Sequence, residues 1–175
     1  MAYRTKTYIA GDWDNDKDAV DQLHICNDSN YWGLSFNDAH DLTQARDESL
    51  NCSIKSSLKT RLNASKTFVL IVGDGTKNLR SGGCQYCDNY SSYTKTCRRG
   101  YSVDYRSYVD YECAKALEAY NDNVMDIVVL YNAATVNRTK CLDAVNDVGE
   151  HAKMKKIVDE KRQWDYQSVK EAMGK

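Results

Sequence analysis

Two short apolar runs constrain this chain more than any other feature. Phe68-Val69-Leu70-Ile71-Val72 stops at Gly73-Asp74-Gly75, and Ile127-Val128-Val129-Leu130-Tyr131 stops at Asn132. Neither run alternates apolar with polar side chains, so each reads as a strand covered on both faces. Between them lies a helical pattern rather than a hairpin turn. Strand, crossover helix and strand imply parallel pairing with right-handed connections.

The flanking sequence extends that unit. Lys6 to Ala10 (KTYIA) is a β-prone run ended by Gly11-Asp12, after which Ala19, Val20, Leu23 and Cys26 recur at helical spacing. Gly33 to Phe36 is a weak second strand. Leu50, Ile54, Leu58 and Leu62 mark one face of the next helix. The order to Tyr131 is therefore βαβαβαβ, a three-layer α/β fold around a central parallel sheet of four to five strands. Beyond about residue 136 the pattern predicts mainly helix, over Lys140 to Val148 and Tyr166 to Met173, with Met154 to Val158 as a doubtful fifth strand. No Gly/Ser-rich linker divides residues 1–175, which are expected to form one domain.

Composition removes several function classes. With 42% hydrophobic and 28% charged residues the chain is neither disordered nor membrane-spanning in character. Its 24 basic and 25 acidic side chains nearly cancel, so no overall field draws it to nucleic acid or an anionic bilayer. The opening MAYRTKTYIAGDWD meets charge and turn residues before any apolar stretch long enough for a signal peptide, which points to a cytoplasmic protein. Seven cysteines, an odd number without an export signal, are expected to be reduced thiols.

One residue breaks the pattern. In the helix expected from Asp104 to Tyr120, the sheet-facing stripe is Tyr105, Tyr108, Val109, Cys113, Ala116, Leu117 and Tyr120, and Glu112 falls on it. A carboxylate there must find a partner, take up a proton or line a cleft. The helix begins near the carboxyl edge of the sheet, where open α/β folds place ligands, and Glu112 lies in an early turn. A pairing with Arg46 or Arg106 is the structural alternative.

The succession D-A-H-D-L, A-R-D, I-K and L-I-V-G-x-x-T-K across residues 38–77, followed by DYRSYVDYECAKAL, resembles the bacterial TIR-like family that includes the ThsB sensors of Thoeris antiphage defence. The resemblance spans roughly residues 5–135. It implies a flavodoxin-like TIR sheet and, in active members, cleavage of NAD to nicotinamide and an ADP-ribose-type signal. The family glutamate falls on Glu112. Its partners would be a small nucleotide and either a second copy of itself or another TIR-type protein. The alternative is a non-catalytic interaction or nucleotide-sensing module.

Loops at the same sheet edge supply further candidates. Trp13 can stack on a nicotinamide or adenine ring, and Asp12 can accept hydrogen bonds from ribose hydroxyls. Gly73, Asp74 and Thr76 can approach ribose or phosphate, and Tyr108 faces the same crevice. A second polar cluster, Asp38, His40, Arg46 and Asp47, reads better as loop and helix-capping residues than as acid-base machinery.

GGCQYCDNYSSYTKTC sits between the Phe68–Val72 strand and the Glu112 helix, in an insertion at about 78–103. Cys84 and Cys87 have C-x-x-C spacing and Cys97 follows, a set compatible with zinc but one ligand short of four. Packed loop thiols are the plainer reading, and a redox role is weaker because no strand leads directly into a helix there.

Overall fold

The computed structural model describes residues 4–39 and 50–174. A four-stranded sheet forms its centre, built from β1 (Lys6–Ala10), β2 (Ser65–Val72), β5 (Asp126–Tyr131) and β6 (Glu150–Lys153), all parallel and in the order β1-β2-β5-β6. The two apolar runs pair with each other, Phe68 opposite Ile127 through Val72 opposite Tyr131. They are the two interior strands, which is why neither shows a polar face.

Their side chains alternate between two separate cores. Tyr8, Phe68, Leu70, Val72, Ile127 and Val129 pack under α2 (Asn51–Asn63) and α3 (Tyr108–Asn121). Ile9, Val69, Ile71, Val128 and Leu130 face α1 (Lys17–Asp28) and α4 (Tyr166–Ala172). Three layers result, as expected when a parallel sheet must be covered on both sides.

Four local expectations are corrected. Gly33 to Phe36 is not a strand: Gly33 and Ser35 both adopt positive φ, and among the described residues only one parallel bridge, Thr7 with Asp38, touches β1 from that side. The helix carrying Glu112 starts at Tyr108, not Asp104, because the Ser107 hydroxyl accepts the Asp110 N–H and caps it there. Tyr105 therefore lies outside the helix, half exposed.

The last two corrections concern the C-terminal part. Lys140 to Val148 contains 3₁₀ turns at Arg138–Lys140 and Asp143–Val145 in place of a helix. The sheet is closed by Glu150–Lys153, while Lys155–Val158 (β7) pairs with Lys161–Trp164 (β8) as an antiparallel hairpin. Residues 136–174 thus hold three short strands and one helix. Short strands with exposed positions, such as Ile157, lack the unbroken apolar signature that marked β2 and β5.

The cysteine-rich stretch carries a second small hairpin, β3 (Tyr90–Ser91) and β4 (Thr96–Cys97), outside the main sheet. Its base is fastened by backbone bonds from Cys84 N to the Asp104 carbonyl at 2.9 Å and from Tyr108 N to the Ser81 carbonyl at 2.8 Å. Gly82, at φ 102°, lies so close to the Tyr108 ring that a Cβ would approach it to 2.5 Å. No described helix is long and apolar enough to cross a membrane.

Candidate functional site

Glu112 occupies the second turn of α3 and is 8% exposed. It lines a cavity of about 250 Å³ at the carboxyl edge of the sheet. The floor is Tyr8 of β1, the rim is Gly11 to Asp14, and the walls include Leu58 of α2 and Tyr108 of α3. The Tyr8 hydroxyl donates to Glu112 Oε1. Burial pushes the Glu112 pKa up to about 7, against the pull of the Tyr8 hydroxyl and the Arg61 charge.

This contact is the one that periodicity alone could not supply. Tyr8 and Glu112 are 104 residues apart. The available signal was a tyrosine in the middle of a buried strand, since a buried phenol requires a hydrogen-bond partner. Of the expected cationic partners, Arg106 instead clamps Asp104, at 2.6 Å from Oδ2, and Arg46 lies outside the described residues. His40 and Asp47 also lie outside them, while Asp38 pairs with His24 at 3.2 Å.

The cavity gathers Asp12, Trp13 and Tyr108 with Glu112. Trp13 stands at the rim, 42% exposed. Asp12 is buried, and its carboxylate is largely engaged within its own loop. Oδ1 accepts the Asp14 and Asn15 N–H groups, both at 3.2 Å, and Oδ2 accepts from the Asn15 side chain at 2.7 Å. Burial would raise its pKa, yet those donors outweigh it and hold Asp12 below the usual carboxylate range. Tyr108 donates to Asn51 Oδ1 at 2.9 Å, and its pKa is pushed up to about 12, first by burial and then by the nearby thiols of Cys87, Cys84 and Cys52.

Gly73 and Asp74 fall elsewhere. They line a second carboxyl-edge cavity of about 550 Å³ with Asn15, Asp16, Asn132 and Lys140. A Cβ on Gly73 would meet Asp16 Oδ1 at 2.1 Å, so glycine is what admits that carboxylate. Asp16 is 4% exposed; its Oδ1 accepts from Asn132 Nδ2 at 2.8 Å, and Oδ2 has no hydrogen-bond partner among the described residues. Burial raises its pKa. Asp74 is exposed and ion-paired with Lys140. Thr76 lines neither cavity: fully buried, it accepts the Gly73 N–H at 2.8 Å and locks the loop. Asn15, bonded to Asp12, stands between the two cavities.

Cys84, Cys87 and Cys97 come together, and Cys52 of α2 joins them around a small void. Burial raises the Cys52 thiol, with Cys97 and Cys84 adding to the effect. Cys113 does not join them: it is buried in the core between α3 and the sheet.

Helices on both faces of a parallel sheet, with cavities at its carboxyl edge, define a three-layer α/β protein, an arrangement consistent with a flavodoxin-like, TIR-like fold. Residues 7–81 match the family described as Thoeris protein ThsB, TIR-like domain. That match runs from β1 to the loop after β2 and stops short of α3 and Glu112. No curated protein matches the chain.

Proposed function

We propose that this chain is a TIR-like signalling protein of antiphage defence that cleaves NAD into nicotinamide and an ADP-ribose-type product. The observation that carries the reading is Glu112, a buried carboxyl in the wall of a carboxyl-edge cavity beside a rim tryptophan. NAD presents a nicotinamide that is cationic while bound to ribose. When the C–N bond breaks, its electron pair returns to the ring nitrogen, so the leaving group needs no proton, unlike an ordinary glycosidic oxygen. The ribose carbon is left with oxocarbenium-like charge, which an ionised Glu112 stabilises. Water or another nucleophile then captures that carbon.

Tyr8 serves as the positioning residue, holding one Glu112 oxygen and directing the other toward the cavity. At about 250 Å³ the cavity is below the roughly 300–1,000 Å³ of sites that enclose drug-sized ligands, so it suits one end of a dinucleotide. The same smallness favours the second reading, a nucleotide-sensing TIR-like module without turnover.

The test is nicotinamide release from NAD by the purified chain, alone and with lysate from phage-infected cells. Glu112→Gln is expected to reduce the rate by roughly 10²–10⁴-fold, the range associated with loss of one positioned ionisable group. Full turnover by that variant, or no release from wild type under either condition, overturns catalysis. Saturable NAD binding without release selects the sensing module.

A further inference from the structure

The insertion between β2 and α3 has almost no hydrophobic interior of its own. Tyr86, Tyr93 and Tyr101 point to solvent, Tyr93 at 95% exposure, and the hairpin strands are two residues long. So small a ribbon cannot be held by apolar burial and needs a covalent or metal staple. What it turns inward is sulfur. Cys84, Cys87 and Cys97 line one void of about 10 Å³, and the fourth thiol on it, Cys52, belongs to the first turn of α2.

The surrounding bonds hold these segments in register. Asn51, the residue before Cys52, donates from Nδ2 to the Gly83 carbonyl at 3.0 Å, next to Cys84. Cys84 to Cys87 forms a tight turn, with Cys87 N donating to the Cys84 carbonyl at 3.0 Å. The Asp104 N–H points at Cys84 Sγ from 3.3 Å, the kind of outer hydrogen bond that steadies a metal-bound thiolate. All four cysteines are free.

We propose that Cys52, Cys84, Cys87 and Cys97 form a tetrathiolate site for a structural zinc ion, which pins the insertion to the first turn of α2. Four thiolates complete a closed tetrahedral set with no open position, hence a structural rather than catalytic centre. On binding, the thiols release their protons to solvent and no electron transfer is involved. Among the described residues no three such side chains are already set around an ion. Closure therefore requires the thiols to draw in toward the void, with metal binding completing the local fold. This inference stands independently of NAD cleavage.

The experiment uses the full chain, purified under reducing conditions without chelator. Plasma mass spectrometry is expected to find about one zinc per chain, and replacement by Co²⁺ to produce the sulfur-to-metal charge-transfer band and strong d–d absorption of a tetrahedral thiolate site. Alkylation followed by peptide mapping should show protection of residues 52, 84, 87 and 97 in the metal-loaded chain and reaction after metal removal. Cys52→Ser should weaken Co²⁺ affinity at least tenfold and alter its spectrum, whereas Cys26→Ser, on the opposite face of the sheet, should leave both unchanged. Wild type without zinc and without a Co²⁺ charge-transfer band overturns the proposal. So does an unaltered spectrum in Cys52→Ser, or an isolated chain whose mass reveals disulfides among these four residues. If Cys52→Ser fails to fold, the wild-type protection pattern decides by itself.

Discussion

Glu112 is held by opposing influences: burial favours its neutral form, and the Tyr8 hydroxyl and Arg61 charge favour the carboxylate. Its folded pKa of about 7 lies above the ordinary 4.5, so the native state binds the proton more tightly than the unfolded chain. The associated stability is fully present below about pH 4.5 and is lost as pH rises through about 7. Glu112→Gln, which cannot ionise, should therefore gain on wild type at pH 8, by on the order of 3 kcal/mol in denaturant titrations. The two proteins should converge near pH 5. If the ionised form is the reactive one, kcat/KM should climb through pH 7. Tyr8→Phe removes a bond to the charged form and should shift that rise to higher pH. Helical spacing made Glu112 legible because a carboxylate interrupts an apolar stripe. Tyr8 was not legible as its partner, because strand spacing says nothing about which helix will later cover a given side chain.

Among the elements, loops and short strands carry the sharpest consequences. The β7–β8 turn places both Asp159 and Glu160 at positive φ, 49° and 62°. That is a two-residue hairpin turn of the mirror-image type, which Asn-Gly fits best. Glu160→Gly should consequently stabilise the protein, by about 0.5–1 kcal/mol in thermal or chemical unfolding, since it relieves a left-handed conformation at an exposed site. Lys55 illustrates the opposite case. Buried in α2, it donates to the carbonyls of Asp104 at 3.1 Å and Arg106 at 2.6 Å, and so ties α2 to the approach of α3. Lys55→Met keeps the stem but leaves the Arg106 carbonyl without its donor, while the Asp104 carbonyl keeps the Cys84 N–H, and should cost about 1–3 kcal/mol, measurable as a shifted denaturation midpoint.

Elements with long apolar signatures, β1, β2, α1, α2 and β5, follow from sequence periodicity. The Gly33 to Phe36 segment did not, because backbone at positive φ in Gly33 and Ser35 turns away from the extended form its side chains favour. The hairpin of β7 and β8 was missed for a different reason: Asp-Glu is a poor turn signal, and neither strand alternates clearly.

At the scale of the molecule, two cores share one sheet. Phe68 stands at 0% exposure in the core under α2 and α3, stacked on Tyr8 with ring centroids 5.9 Å apart. Phe68→Ala should cost about 3–5 kcal/mol and loosen the floor beneath Glu112, so the melting temperature should fall and, under the proposed function, NAD affinity with it. The general position of the site was legible, since a parallel sheet assigns ligands to its carboxyl edge. Its division into two cavities was not, because Asp12 and Asn15 create that partition through side-chain bonds specific to this loop.

The stacking of Tyr8 on Phe68 also fixes how the Glu112 oxygen can be released. Its restraint rises from a fully buried side chain of β1, the sheet's edge strand, rather than hanging from a surface flap. Swinging the rim aside would leave that oxygen still tethered. A twist of the phenol within its stack, a turn of the Glu112 side chain itself, or a slide of α3 over the strands would set it loose.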